Sequence, residues 1–316
     1  MNFADRLLNL IDEKQNPSVV GLDPRIDMIP QFIKDEAIDR YGDTIKAVAQ
    51  SFIIFNKKII DAVYDIVPVV KPQVAFYEKY GDEGMRVFHE TIKYAHTKGL
   101  IVIADAKRND IGSTAIAYSN GYLGKVELCS GESASMFDLD ALTVNPYLGS
   151  DCIRPFIEDA KKYGKGCFIL VKTSNPSSIE IQDRKIEGGK TIFELIGQYV
   201  NEWGSETVGR RGYSSIGAVI GATFPAQAKK LRKLMKKSIF LSPGYGAQGA
   251  KGKDVIPLFN KDGYGAIISS SREIIFAYKQ LKKYSEDNFY EASRQAAVYM
   301  KEDINLMLKD AGIFPW

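Results

Sequence analysis

The chain has 316 residues, of which 45% are hydrophobic and 26% are charged, a composition that is typical of a globular protein and excludes a disordered one. Its 42 basic and 39 acidic side chains leave a net charge of +3 with no long run of one sign, which argues against a nucleic-acid partner. Because no stretch approaches the roughly 18 consecutive apolar residues of a membrane span, a membrane partner is not expected either.

The first predicted element is an amphipathic helix, MNFADRLLNLIDEKQN. Its interspersed acidic residues are not typical of a signal peptide, which has a basic start and an apolar centre. The three cysteines, Cys129, Cys152 and Cys167, form no CxxC pair, which indicates reduced thiols rather than disulfides or a zinc site. His89 and His96 have no further ligand at metal-binding spacing, so we expect no metal. These features predict a cytoplasmic protein.

Short β-rich runs then alternate with segments of helical periodicity along the chain. The eight predicted strands cover residues 18–23, 66–71, 100–105, 140–145, 166–173, 216–221, 238–242 and 263–269. Helical periodicity is clear over 43–65, 82–99 and 225–237. Eight apolar strands, each followed by a helix, predict a (β/α)8 TIM barrel, an α/β fold, rather than an open doubly wound sheet. We expect residues 1–316 to form a single domain.

Such a barrel needs about 250 residues, so the rest of the chain must lie in additions to it. We place helical insertions at 112–137 and 176–213, after the third and fifth strands, and a C-terminal helical extension at 285–316. The role of these segments is open at this point.

Polar residues cluster at the predicted carboxyl ends of the strands, where the active sites of such barrels lie. The residues at these ends are Asp23, Lys71, Asp105, Lys107, Asn145, Thr173, Ser174, Ser242, Pro243, Ser271 and Arg272. Asp105 and Lys107 are two apart and are expected to share a strand face, within reach of Lys71 on a neighbouring strand. Because each of these charged side chains lies next to one of opposite sign, the carboxylate and the two ammonium groups are expected to stay ionised. The pattern predicts either a proton donor beside fixed negative charge or a salt-bridge network that closes the barrel.

Two further stretches are typical of phosphate binding. SPGYGAQGAKGKD (242–254) follows a strand, contains Gln248, and has glycines that let backbone N–H groups approach an anion. ISSSREIIFAY (268–278) joins a strand to a helix start, with Arg272 beside serines suited to capping. These loops follow the seventh and eighth strands, which is the usual phosphate position in such barrels.

The run LIVIADAKRNDIGSTA (100–115) contains D-x-K-x-x-D-[IV]-G-x-T, from Asp105 to Thr114, and resembles the signature of the orotidine 5′-phosphate decarboxylase family. The resemblance extends through VGLDPR, VVKPQ, VKTSNP, SPGYGAQG and SSSRE, and NPYLG is similar to the longer bacterial class. It implies an enzyme that needs no cofactor and converts orotidine 5′-phosphate to UMP and CO2 in de novo pyrimidine biosynthesis.

The resemblance also implies a role for each matching residue. Lys107 would protonate a carbanion at C6 of the pyrimidine, Asp105 would face the substrate carboxylate, and Lys71 would lie between Asp105 and the ribose. The other implied substrate contacts are Asp23 with the ribose, Ser174 with the pyrimidine, Gln248 and Arg272 with the phosphate, and Pro243. A homodimer is implied, in which Asp110, counted among the catalytic residues, and Thr114 reach the site of the partner subunit.

Two other functions stay open on these residues. Related barrels that act on sugar phosphates as metal-dependent decarboxylases or aldolases share D-x-K-x-x-D, although Lys71 and Gln248 argue against this function. Sensitivity to a chelator would reveal it. A non-catalytic barrel that binds UMP without decarboxylating the substrate is the second alternative, and a binding measurement would reveal it.

Overall fold

The computed structural model describes residues 1–246, Gly249 and residues 251–316. Its strands are β1 (Ser18–Leu22), β2 (Val69–Pro72), β3 (Ile101–Arg108), β4 (Val126–Glu127), β5 (Ser133–Ala134), β6 (Ala141–Val144), β7 (Gly166–Lys172), β8 (Ser214–Ile220), β9 (Ser238–Pro243) and β10 (Ala266–Ser270). Strands β4 and β5 form a small antiparallel hairpin, and the others close into a parallel barrel in the order β1-β10-β9-β8-β7-β6-β3-β2. The TIM barrel and its eight predicted strands are confirmed.

Helices surround this barrel. They are α1 (Phe3–Lys14), α2 (Gln31–Tyr41), α3 (Ile45–Val63), α4 (Ala75–Glu78), α5 (Gly81–Thr97), α6 (Gly112–Tyr122), α7 (Ser150–Tyr163), α8 (Ile192–Trp203), α9 (Pro225–Leu234), α10 (Gly252–Val255), α11 (Arg272–Ile275) and α12 (Phe289–Asp310). The helices expected from periodicity correspond to α3, α5 and α9. Within the described ranges, no helix combines the length and apolar character that crossing a bilayer requires.

Helix α1 closes the amino-terminal end of the barrel. Its apolar face, Phe3, Leu7, Leu8 and Ile11, is buried against side chains that point into the barrel. The ring of Phe3 meets that of Phe168 edge-on, with 5.8 Å between the centroids. Gly166 makes this approach possible, because a Cβ there would lie 2.4 Å from the Phe3 ring. Any opening to solvent must therefore be at the opposite end, where the strands finish.

The segments expected as additions contain part of the barrel itself. Segments 112–137 and 176–213 include α6 and α8, the helices that follow the third and fifth barrel strands, beside the true additions around them. Segment 285–316 is mainly α12, which packs on α3 and α10 and takes the place of the eighth helix of the ring. The ring of Phe289 stacks on that of Phe55, with 5.1 Å between the centroids. Residues 271–288, which include the short helix α11, separate β10 from α12, so the chain pattern hides the pairing of this strand with this helix.

The plug formed by α1 predicts a large effect of Phe3→Ala on stability. Removing this buried ring leaves a cavity under the barrel, so the free energy of unfolding should fall by about 3 kcal/mol in urea denaturation followed by circular dichroism. Glu13→Ala, at an exposed position of the same helix, is the control and should change it by less than about 0.5 kcal/mol. Equal stabilities of the two variants would show that α1 does not act as a plug.

Candidate active site

A cavity of about 460 Å³ opens at the carboxyl ends of the barrel strands. Its volume is in the range of small-molecule sites. Most of the residues predicted at the strand ends line it: Asp23, Lys71, Asp105, Lys107, Thr173, Ser174, Pro243, Ser271 and Arg272. Gln248 lies outside the described residues. The barrel thus gathers at one cavity side chains that are up to 249 positions apart in the chain.

Asp105 is held between two lysines. Its Oδ2 accepts a hydrogen bond from Lys71 Nζ at 2.9 Å, and its Oδ1 accepts one from Lys107 Nζ at 2.6 Å. Lys71 comes from β2, the barrel neighbour of β3. Burial alone would raise the pKa of Asp105, but the two ammonium groups hold it well below its usual value. Asp105 is therefore a fixed negative charge.

The two lysines differ in their surroundings. Burial alone would lower the pKa of Lys71, but the carboxylates of Asp105 and Asp23 raise it above its usual value, so Lys71 keeps its proton. The side chain of Lys107 is 44% exposed, while that of Lys71 is 7% exposed. Lys107 is thus the ammonium group that a molecule in the cavity can reach.

The contact between Lys107 and Asp105 depends on an unusual backbone conformation. Lys107 has a φ of +49°, in the left-handed region that costs a residue with a side chain about 1–2 kcal/mol. The pairing of β3 with β6 shifts register between Ala104 and Arg108, at the same place. The two side chains therefore meet through a bend in the strand, and not through the simple alternation that the sequence predicted.

Thr143 of β6 holds this bend. Its Oγ1 accepts hydrogen bonds from the backbone N–H of Ala106 at 3.0 Å and of Lys107 at 2.9 Å, and it donates to Asp105 Oδ1 at 3.0 Å. A single buried hydroxyl thus orients both the strained turn and the carboxylate.

The sequence predicted Asn145 as the site residue at the end of this strand, and it did not indicate Thr143. The side-chain oxygen of Asn145 accepts from the N–H of Tyr147, and Asn145 is not among the described residues that line the cavity. Thr143 does line the cavity, because it lies inside β6 with its side chain on the inward face, whereas Asn145 follows the last residue of this strand. A polar residue in the inward phase of an apolar strand was the available signal.

Asp23, at the end of β1, presents an unsatisfied acceptor. Its Oδ1 is buried and accepts no hydrogen bond from the described residues. Burial raises the pKa of Asp23, and the charge of Lys71 partly opposes this effect. Since buried polar atoms are nearly always hydrogen-bonded in folded proteins, this oxygen is suited to accept from a ligand hydroxyl.

The wall after β7 consists of Thr173, Ser174 and Asn175. Gly221 of the next loop approaches it closely, because a Cβ at this position would lie 2.7 Å from Ser174 Cα. The hydroxyl of Thr223 donates to the carbonyl oxygen of Ser174 at 3.1 Å. Ser174 was predicted from the sequence as a ligand contact, whereas Asn175 was not.

The wall after β9 and β10 includes Gly244, Tyr245 and Arg272. The Tyr245 hydroxyl donates to Oδ2 of Asp303 at 2.6 Å, and the Gly252 N–H donates to the same oxygen at 2.9 Å. Asp303 belongs to α12, so the helix expected as an extension anchors residues on both sides of the glycine-rich loop. No pattern in the sequence indicates this contact across 58 positions.

Asp110 and Thr114, the residues predicted to serve the partner subunit, lie outside this cavity. Asp110 Oδ1 accepts from the N–H of Ile111 at 2.8 Å, and Thr114 is exposed at the start of α6. Neither is among the described residues that line the cavity. The large side chains of Ile111, Ile116 and Tyr147 near them are 59%, 49% and 82% exposed.

The site combines a reachable ammonium group with a permanent carboxylate. Lys107 can donate a proton and stabilise negative charge on a reacting atom, while Asp105 repels an anionic group placed beside it. Where side chains are described, no cluster of three or more His, Cys, Asp and Glu residues has a metal-holding arrangement. The expectation of a cofactor-free reaction stays a prediction.

The chain is similar to known decarboxylases over nearly its whole length. The model of the orotidine 5′-phosphate decarboxylase / HUMPS family matches residues 37–286. The orotidine 5′-phosphate decarboxylase of Caldicellulosiruptor saccharolyticus is 43% identical, covering 96% of this chain and 98% of its own. That of Rhodopirellula baltica is 43% identical over 96% and 99% of the two chains. The solved structure of Leishmania donovani OMP decarboxylase has a TM-score of 0.72 and 26% identity, covering 97% of this chain and 98% of its own.

The role of Thr143 predicts different effects of two substitutions. Thr143→Val keeps the shape but leaves two partly buried N–H groups without an acceptor, so the free energy of unfolding should fall by about 2 kcal/mol. Thr143→Ser keeps the hydroxyl and should lose less than about 1 kcal/mol. Chemical denaturation of the two variants measures the difference. A valine variant as stable as the serine variant would contradict the role given to the hydroxyl.

Proposed function

The chain belongs to the orotidine 5′-phosphate decarboxylase family, and we propose that it converts orotidine 5′-phosphate to UMP and CO2 in de novo pyrimidine biosynthesis. The enzyme is a carboxy-lyase. The observation that carries the proposal is the Lys71–Asp105–Lys107 chain inside a cavity that Arg272 borders. We take residues 1–316 as a single catalytic domain, because α1 and α12 both pack on the barrel.

The cavity supports one orientation of the substrate. The 5′-phosphate lies at the wall formed by Arg272 and the glycine-rich loop, since guanidinium and backbone N–H groups suit an anion. Gln248, in that loop, is proposed to contact the phosphate as well. Pro243 is proposed to contact the substrate beside this loop. The unsatisfied carboxylate of Asp23 accepts from the ribose, and Ser174 contacts the pyrimidine.

In the proposed reaction, the bond between C6 and the carboxylate carbon breaks and CO2 leaves. The electron pair stays on C6 as a vinylic carbanion with little resonance stabilisation. The Lys107 ammonium stabilises this charge and then transfers a proton to C6, which gives UMP, and solvent reprotonates the lysine. Lys71 is a poorer donor, because it is buried and its pKa is raised.

Asp105 contributes through repulsion of the substrate carboxylate. Two unit charges about 4 Å apart repel by about 4 kcal/mol at an effective dielectric constant near 20. This repulsion disappears as CO2 leaves, so it lowers the barrier if binding elsewhere offsets it in the ground state. Contacts with the remote phosphate supply such binding energy. We assign the larger part of the acceleration to Lys107.

We also propose that the enzyme is a homodimer in which Asp110 and Thr114 complete the site of the partner subunit. Both residues lie outside the cavity of their own chain, which supports this role. The exposed Ile111, Ile116 and Tyr147 provide apolar surface for the contact.

The cytoplasm is the proposed location, because Cys129, Cys152 and Cys167 are free thiols.

The reaction is tested by the loss of near-ultraviolet absorbance of orotidine 5′-phosphate in excess chelator. We expect rapid loss with the wild type and a turnover lower by about 10³-fold or more with Lys107→Ala, since the proton donor is gone. Lys46→Ala, an exposed lysine of α3, is the control and should behave as wild type. Inhibition by the chelator would favour a metal-dependent sugar-phosphate enzyme, and UMP binding without turnover would favour a non-catalytic barrel.

The shared site is tested by mixing two inactive variants. In Lys107→Ala mixed with Asp110→Ala, about half of the dimers are hybrids with one intact site, so about a quarter of the wild-type activity should return after subunit exchange. Lys107→Ala mixed with Asp105→Asn is the control, because both changes affect the chain's own site and no intact site can form. No recovery in the first mixture would exclude Asp110 from the partner's reaction.

A further inference from the structure

The residues 176–191 after β7 are tied to the barrel by a buried ion pair. Lys172, the last residue of β7, is fully buried, pairs with Asp183 and donates from Nζ to Ser178 Oγ at 2.9 Å. Its ammonium also lies 4.1 Å from the centre of the Phe224 ring. The contacts of Ser178 and Asp183 with Lys172 therefore fix this segment against the barrel mouth. The residues between Ser178 and Asp183 are held in position by the same two contacts.

Gln182 precedes Asp183 in the chain and makes two hydrogen bonds with Thr173. Its Oε1 accepts from the Thr173 N–H at 2.9 Å, and its Nε2 donates to Thr173 Oγ1 at 2.8 Å. The Thr173 hydroxyl in turn donates to Asn175 Oδ1 at 2.7 Å. A hydroxyl has one proton, so donation by Gln182 sets the direction of the whole series of hydrogen bonds.

The direction of these hydrogen bonds determines which end of the Asn175 side-chain amide is available to a ligand in the cavity. Because Asn175 Oδ1 accepts from Thr173, its amide NH2 group is the end that is available to a ligand. Thr173, Ser174 and Asn175 all line the cavity, whereas Gln182 does not appear among the described lining residues. The wall therefore presents hydrogen-bond donors that match an acceptor, such as a carbonyl oxygen of a pyrimidinedione ring.

We propose that Gln182 is a positioning residue for recognition of the base, and that segment 176–191 serves the site by holding Gln182 in place. This inference rests on the proposed function, since it takes the base of a pyrimidine nucleotide to lie against the Thr173–Asn175 wall. It assigns the segment a role in substrate specificity in addition to its role in packing.

Two variants and a matched control test the proposal. Gln182→Ala removes both hydrogen bonds to Thr173. Gln182→Glu keeps the size but turns the Nε2 donor into an acceptor, so the Thr173 hydroxyl donates to the new carboxylate and releases Asn175. Gln198→Ala is the control, because Gln198 lies on α8 of the same region and its side chain accepts from Lys190 at the surface.

The measurements are KM and kcat, the dissociation constants of UMP and ribose 5-phosphate, and the melting temperature. Both Gln182 variants should raise KM and weaken UMP binding by about tenfold, because a misplaced wall loses oriented hydrogen bonds. Binding of ribose 5-phosphate, which has no base, should change less than about twofold, and Gln198→Ala should match the wild type in every measurement.

Three results would overturn the inference. These are equal weakening of UMP and ribose 5-phosphate, a fall in melting temperature with unchanged UMP binding, and Gln182 variants that match Gln198→Ala. If the wild type does not decarboxylate orotidine 5′-phosphate, the proposed function fails. The comparison of UMP with ribose 5-phosphate then still decides the role of Gln182, so the two failures are distinguishable.

Discussion

The two ion pairs of Asp105, with Lys71 and with Lys107, are the interaction on which the rest of the site depends. A carboxylate this buried is stable only with charged partners and further hydrogen bonds, and removing one partner leaves an expensive unpaired charge. Lys71 comes from β2, Asp105 and Lys107 come from β3, and the supporting Thr143 comes from β6, so the arrangement requires β3 to lie between β2 and β6. The strained backbone at Lys107 persists because the hydroxyl of Thr143 holds it. The chemistry that we assign to Lys107 thus depends on barrel closure.

Elements outside the barrel hold the opposite walls of the cavity. Asp303 of α12 accepts from residues on both sides of the glycine-rich loop, and Gln182 holds the loop after β7. Tyr245 follows the end of β9, and Thr173 follows the end of β7. Loops at a barrel mouth are otherwise free to vary, so such contacts set the geometry that a ligand meets. The length beyond a minimal barrel therefore serves the site as well as the core.

Much of the fold was predictable, because buried parallel strands appear as continuous apolar runs that need no knowledge of their neighbours. Asp23, Lys71 and Arg272 were predictable for the same reason, since each stands where such a run ends. Thr143 was missed because it lies inside a strand, and Asp303 because residues 271–288, with the short helix α11, separate its helix from the last strand. The prediction of a C-terminal helical segment at 285–316 did not specify that α12 packs on α3 and α10, since a helix pattern carries no information about what it packs against.

The sequence by itself determined the barrel, the positions of the strand ends and the motif from Asp105 to Thr114, because these depend on local pattern and on residue type. Only the tertiary structure decided that Lys71 contacts Asp105, that Thr143 supports the turn at Lys107, and that remote helices anchor the loops at the cavity. Those contacts join residues far apart in the chain, and a hydrogen bond requires atoms about 3 Å apart in a suitable direction. Spacing along the chain specifies neither the distance nor the direction.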